Sequence, residues 1–222
     1  MLFFYRTLIN IIFFFFFIII IYRLIRKKED IKRFKEKFCF FSEKNLKGNL
    51  IWFHGASVGE LQSIVPLIEK LERNKKIKKI LVTSNTLSSS KVLRKLNFKK
   101  VIHQFFPIDT NFHSKKFLSY WKPSCAFFID SEIWPNMYLN LKKNKIPTTL
   151  INGRITKKSF KRWKLFPSFS KKIFNTLDLC LSSSEKSKKY FFELGAVKVK
   201  FLENLKFSQS ENEKISINTN LK

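Results

Sequence analysis

Phe53-His54-Gly55-Ala56-Ser57-Val58-Gly59-Glu60 is the stretch whose reading decides the fold. Ahead of it, Asn49-Leu50-Ile51-Trp52 reads as a buried strand. Behind it, Leu61, Ile64, Val65, Ile68 and Leu71 fall at helical spacing. The stretch is therefore expected to be a strand-to-helix turn at the carboxyl end of a strand, the edge at which open α/β sheets bind ligands. Gly55 and Gly59 permit backbone conformations and close approaches that a side chain would block. Glu60 then falls in the first helical turn, facing that edge. Two readings apply to it. Ser57-x-x-Glu60 before an apolar run fits a capping box, and a carboxylate at such an edge suits general-base chemistry.

Outward from this turn the pattern is regular. Apolar runs at 50–53, 80–83, 101–105, 125–129, 149–151, 179–182 and 197–201 alternate with amphipathic segments at 60–73, 89–96, 111–121, 134–143, 158–177 and 185–194. Strand alternating with helix predicts βαβ units and a largely parallel α/β sheet with flanking helices. Right-handed crossovers line the strand-to-helix turns along one edge. That edge collects Glu60, Thr83-Ser84-Asn85-Thr86, Asp109, Asp130-Ser131-Glu132, Arg154, Ser182-Ser183-Ser184 and Lys206. Glu60, Asp130 and Glu132 are expected to converge there with Arg154 and Lys206. A carboxylate can take a hydroxyl proton, and a nearby cation can stabilise developing negative charge. Helix-terminal charge is the structural alternative for Asp130 and Glu132, and surface placement for Arg154 and Lys206. Neither GxxxxGK[ST] nor GxGxxG occurs, so nucleotide binding through those loops is not supported.

Residues 2–22 are almost wholly apolar, with Arg6 the only charge, and Arg23, Arg26, Lys27 and Lys28 follow at once. Length and composition suit a membrane helix, and the basic flank places that side in the cytoplasm. The expected organisation is an anchor helix at 1–25, a basic amphipathic connector at 26–48, the α/β domain at 49–207 and a polar tail at 208–222. The chain of 222 residues holds 44 Lys and Arg against 16 Asp and Glu, a formal net charge of +28. Such a surface attracts anionic headgroups and phosphorylated substrates. The basic residues are dispersed and carry no nucleic-acid signature, so no nucleic-acid partner is expected. Cys39, Cys125 and Cys180 suggest neither a disulfide framework nor a zinc site. His54, His103 and His113 share no metal-ligand spacing, and structural roles are expected, with His54 set apart by its place beside the central turn.

Five motifs together resemble a known family. His-x-x-Ser-Val-Gly-Glu (54–60), Ser-Glu-Ile-Trp-Pro-Asn (131–136), Ile-Asn-Gly-Arg (151–154) with Ser159, Leu-Gly-Ala (194–196) and Asn-Leu-Lys-Phe (204–207) are similar, in order and approximate spacing, to the 3-deoxy-D-manno-octulosonic acid (Kdo) transferases of lipopolysaccharide synthesis. The resemblance implies an inverting glycosyltransferase of the GT-B type with two Rossmann-like domains, of which this chain matches the N-terminal, acceptor-side one. It implies that Glu60 is the proton acceptor for a hydroxyl of a lipid A precursor, which attacks CMP-Kdo. Asp130 and Lys206 fall where the family stabilises the transition state, and Ser57, Gly59, Glu132, Arg154 and Asn204 where substrate contacts are expected. No cofactor or metal is implied. The implied location is the cytoplasmic face of the inner membrane. Two positions depart from the family: Asp130 stands in place of Glu, and Glu203 in place of Gly. Family chains are roughly double this length, and their second domain carries the CMP-sugar site. The isolated chain is therefore expected to need a separate C-terminal domain for transfer. The rival reading is a non-catalytic membrane-surface module that binds anionic lipid or phosphorylated glycolipid.

Overall fold

The computed structural model describes residues 1–45 and 48–202. Glu203, Asn204, Lys206 and the tail at 208–222 lie outside the described residues. Among the described residues, seven strands form one parallel sheet in the order β3-β2-β1-β4-β5-β6-β7. They are β1 (Leu50–His54), β2 (Lys79–Ser84), β3 (Val101–Phe105), β4 (Cys125–Ile129), β5 (Thr148–Gly153), β6 (Leu179–Ser182) and β7 (Val199–Phe201). Every expected strand is present, within two residues at each end.

Side-chain alternation along the strands divides the core between the two faces of the sheet. Leu50, Trp52, Leu81, Ala126, Phe128 and Leu150 pack on one face; Phe53, Ile80, Val82, Ile129 and Ile151 pack on the other. Burial of both faces explains why the strands read as apolar runs rather than as alternating ones.

The expected helix at 60–73 is instead two, α2 (Val58–Ser63) and α3 (Val65–Glu72), following α1 (Leu2–Ile25) in the chain. The expected helix at 158–177 likewise divides into α7 (Lys157–Lys164) and α8 (Pro167–Phe174). Proline causes both breaks, for it has no N–H to give and its ring crowds the preceding turn. Pro66 and Pro167 each sit in the first turn of the second helix, where a missing donor is harmless. The remaining helices, α4 (Leu87–Lys95), α5 (Asn111–Trp121), α6 (Pro135–Lys143) and α9 (Glu185–Leu194), fall where the pattern places them. Thr86, Thr110, Thr156 and Ser184 cap α4, α5, α7 and α9 by accepting a backbone N–H three residues on.

α1 is long and apolar enough to cross a membrane. One stripe of it nevertheless lies against the α/β domain. Tyr5 Oη donates to Asp109 Oδ2 at 2.8 Å, and Arg6 donates to Asn136 Oδ1 at 3.0 Å and Asn111 Oδ1 at 3.1 Å. Phe13 and Phe16 meet the ring of Phe38, and Ile20 is wholly buried. Arg6, Phe13, Phe16 and Ile20 stand seven, three and four residues apart in turn, with Tyr5 beside the first, which places them along one face of a helix. The opposite face, with Phe3, Phe4, Phe14, Phe17 and Ile18, is exposed.

The segment after α1 turns its charges inward. Glu29 accepts from Arg23 and Lys37, and Glu36 accepts from Arg33, Ser42 and the backbone N–H of Phe105. Both carboxylates are buried, and pairing of this kind is what makes burial of charge tolerable.

Candidate functional site at the β1–β4 crevice

The strand order reverses direction between β1 and β4. The loops that leave these two strands part to opposite sides, and the crevice between them is where doubly wound sheets hold ligands. The loop after β1 carries Glu60, and the loop after β4 carries Asp130, Ser131 and Glu132.

Glu60 closes a variant of the capping box, its carboxylate reaching the N–H of Ala56, one residue before the Ser57 cap. Its N–H donates to Ser57 Oγ at 3.3 Å, Ser57 Oγ donates to Glu60 Oε1 at 2.8 Å, and the N–H of Ala56 donates to Glu60 Oε2 at 2.6 Å. Gly55 makes this close turn possible: a Cβ there would lie 3.2 Å from Glu60 Cβ and 3.0 Å from Leu61 Cδ2. Gly59 differs from its expected role, since a Cβ at that position would meet nothing within 4 Å. No close approach of the protein to itself requires a glycine there. Gly59→Ala is accordingly expected to raise the stability of the folded chain by about 0.4–1 kcal/mol, measured as a higher urea midpoint.

The capped carboxylate is also electrostatically poised. Partial burial pushes the Glu60 pKa up, and the neighbouring charges of Glu132 and Asp130 push it further, against the opposing pull of the Ser57 and Ala56 hydrogen bonds. The three acids stand near enough for the charges of Glu132 and Asp130 to act on Glu60. Proximity to other carboxylates and desolvation are the two devices that bring a glutamate toward general-base duty near neutral pH.

Glu132 is held in place by a chain of polar groups. Its Oε2 lies 3.1 Å from His54 Nε2 and 2.9 Å from Trp134 Nε1. A carboxylate only accepts, so His54 Nε2 carries the hydrogen, while Nδ1 lies 3.0 Å from the Thr83 hydroxyl. Thr83 Oγ1 accepts in turn from Trp52 Nε1 at 2.9 Å. His54 is fully buried and stacks on Phe106 with ring centroids 3.9 Å apart. The histidine set apart by its position thus has a definite structural part, that of orienting Glu132. Thr83, in a stretch read from the sequence as able to hold an anion or cap a helix, instead backs His54, and Trp134, which lies within the quoted motif, joins the site through Glu132.

Asp130 adopts a left-handed backbone, φ 60°, as does Asn152 at φ 55° near the end of β5. Aspartate and asparagine are the non-glycine residues that tolerate this region best. The Asn152 side-chain amide donates to Asp130 Oδ1, and the Asp130 carbonyl accepts the Arg154 N–H at 3.1 Å. These bonds tie the β4 and β5 loops together and fix where the Asp130 carboxylate stands. Arg154 reaches the same edge, where its side chain is exposed and lines a 400 Å³ cavity with Ser131, Ser159 and Trp163. Lys206 and Asn204 lie outside the described residues. Among the described residues, no group of three or more His, Cys, Asp or Glu is arranged to hold a metal ion.

Asp109, at the end of the loop after β3, supports the site from below. Its carboxylate accepts from Tyr5 Oη and from the backbone N–H groups of Asn136 (3.0 Å) and Met137 (2.8 Å), in the first turn of α6 directly behind the Glu132 loop. Burial outweighs these donors and pushes its pKa from 3.8 up to about 7. A carboxyl raised in the fold contributes stability that is fully present below the unfolded value of 3.8 and is lost as pH rises through about 7. The urea midpoint is therefore expected to fall between pH 5 and pH 8, and Asp109→Asn to flatten that slope.

A parallel Rossmann-like sheet with an acidic site at its topological switch point defines the class as one half of a GT-B-like architecture. Two UDP-N-acetylglucosamine 2-epimerase structures share the fold. That from Neisseria meningitidis has a TM-score of 0.53 at 17% identity and covers 78% of this chain and 52% of its own. That from Rickettsia bellii has a TM-score of 0.54 at 12% identity, with 77% and 49% covered. Sequence is more specific. The family model for 3-deoxy-D-manno-octulosonic-acid transferase (kdotransferase) matches residues 32–209. The chain is 37% identical over 196 residues to the 3-deoxy-D-manno-octulosonic acid transferase of Rickettsia bellii, covering 88% of this chain and 46% of that protein. It is also 37% identical over 142 residues to a probable mitochondrial 3-deoxy-D-manno-octulosonic acid transferase of Arabidopsis thaliana, covering 64% and 32%. The chain belongs to the Kdo transferase family, and it spans less than half the length of these relatives.

Proposed function

We propose that this chain is the acceptor-side domain of a Kdo transferase acting at the cytoplasmic face of the inner membrane, anchored there by α1. Glu60 takes the proton from a sugar hydroxyl of a lipid A precursor as that oxygen attacks the anomeric carbon of Kdo in CMP-Kdo. The C–O bond to CMP breaks with inversion, and CMP leaves with the bonding electron pair. Asp130 and Lys206 stabilise the transition state. Ser57, Gly59, Glu132, Arg154 and Asn204 contact the substrates, and most of the CMP-Kdo site lies in a separate C-terminal domain. The observation that carries this reading is the Glu60 carboxylate at the β1–β4 crevice, held by its own cap and raised in pKa by burial, Glu132 and Asp130. Open space beside Gly59 leaves the first turn of α2 free for an acceptor to approach.

The test is Kdo transfer from freshly generated CMP-Kdo to a lipid A precursor, with the purified chain in detergent, alone and with the C-terminal half of the Rickettsia bellii relative supplied. Transfer that depends on the supplied half supports the proposal. Lipid binding without transfer in either mixture would place the anionic-lipid module ahead, a reading favoured by the exposed apolar face of α1 and the charge of +28.

A further inference from the structure

Between α1 and the carboxyl edge of the sheet lies a cavity of 460 Å³, within the size range of small-molecule sites. Its outer wall is Ile9, Ile12 and Phe16 of α1, and its inner wall includes Phe106, Ile108 and Trp134. We infer that this groove holds a hydrocarbon chain of the glycolipid acceptor, an inference that rests on the transferase reading above.

Three features of the groove select that occupant. Most polar groups on its wall are already engaged: Thr86 caps α4, Asp109 accepts from Tyr5 and the start of α6, and Glu29 accepts from Arg23 and Lys37. Apart from the half-buried Asn85 side chain, what remains is apolar surface, which a hydrocarbon chain covers with no hydrogen bond to satisfy. Continuity comes next. The outer wall belongs to the helix whose other face is exposed Phe and Ile, so a chain passes from bilayer to groove without crossing water. Charge comes third. Arg23 and Lys37 stand at the groove with Glu29 as their shared carboxylate and Asp109 as the second acid of the wall, and the Arg23 guanidinium, the more exposed of the two cations, is the group that meets a lipid phosphate.

The inner wall distinguishes acceptor from bulk phospholipid. Trp134 donates to Glu132, and Phe106 stacks on His54. The groove is thus the back of the catalytic crevice, and the molecule whose tail lies in it is the one whose sugar stands at Glu60.

The inference is tested by tryptophan quenching, with the full chain in phosphatidylcholine nanodiscs. One arm contains lipid A precursor with dibrominated acyl chains; the other contains dibrominated phosphatidylcholine at the same mole fraction. Loss of a fluorescence component in the first arm alone is expected. That component should be absent in Trp134→Phe. Filling the groove with Ile9→Phe and Ile12→Phe should abolish the quenching, while Phe14→Leu on the outward face should leave it intact. Equal quenching by both lipids would overturn the assignment in favour of bulk lipid, and no quenching would overturn the groove itself. Transfer of Kdo to the de-acylated phosphorylated disaccharide, measured alongside, separates the two claims. With the C-terminal half of the Rickettsia bellii relative supplied, transfer without quenching removes the groove and keeps the transferase; absence of transfer to any acceptor in that mixture removes the transferase reading.

Discussion

Glu60→Gln is expected to lower Kdo transfer by about 10²–10⁴-fold, the usual worth of a positioned general base, while the melting temperature stays close to that of the parent chain. The substitution separates the two roles of this side chain. Glutamine serves at the third position of a capping box, and its carbonyl oxygen can still accept the Ala56 N–H that now meets Glu60 Oε2. It cannot take a proton from a sugar hydroxyl. Ser57→Ala makes the reciprocal cut: it removes the hydroxyl that accepts the Glu60 N–H, costs about 1 kcal/mol of stability, and keeps the carboxylate. The pH profile carries a further sign. Transfer needs ionised Glu60, and its pKa is raised by burial, Glu132 and Asp130. The acid limb of kcat/KM should therefore lie above the ordinary glutamate value of 4.5. Glu132→Gln, by removing one of the raising charges, should move that limb to lower pH. Transfer by Glu60→Gln at the parent rate would leave the carboxylate as a helix cap only.

Asp109→Ala is expected to destabilise the chain by about 2–5 kcal/mol, because it strands several buried donors at once. The backbone N–H groups of Asn136 and Met137 lose their acceptor, and so does Tyr5 Oη. A loss of this size is a large fraction of the roughly 5–15 kcal/mol that holds a domain folded. It would be read as a lower urea midpoint at unchanged m value. The same carboxylate is where α1 meets the α/β domain, so α1 should also become easier to cleave with trypsin at Arg6. Tyr5→Phe removes a single donor at the edge of the network. It leaves the α6 bonds in place and should cost about 0.5–1.5 kcal/mol. If Asp109→Ala proved as stable as the parent, the α6 start would have to draw its acceptors from elsewhere.

By itself the sequence determined what depends on neighbours along the chain. Seven apolar runs became seven strands, because a strand buried on both faces needs only a short apolar run. Helix starts followed from caps three residues apart, and the Ser57–Glu60 box formed as its spacing dictates. The breaks at Pro66 and Pro167 were missed, although the missing N–H is a local property, because apolar periodicity carried on through both prolines and masked them. Glu60, Asp130 and Glu132 were recognisable as residues of one sheet edge.

Only the tertiary structure decided which of those edge residues meet. Strand order sets β1 beside β4, so Glu60 faces Asp130 and Glu132 across a crevice although some seventy residues separate them. The bond from His54 to Glu132, with Thr83 behind and Trp134 beside, joins the ends of β1 and β2 to the loop after β4, a meeting that no spacing along the chain relates. The same holds for α1. Its composition marks an apolar helix, but hydropathy is the same all round it. Asp109, Asn111 and Asn136 choose the face that docks, by accepting from Tyr5 and Arg6 across more than a hundred residues. Local spacing fixes hydrogen bonds within one turn or one strand. Pairings between distant segments are fixed by the crossovers that decide which strands become neighbours, and those emerge only when the whole sheet is assembled.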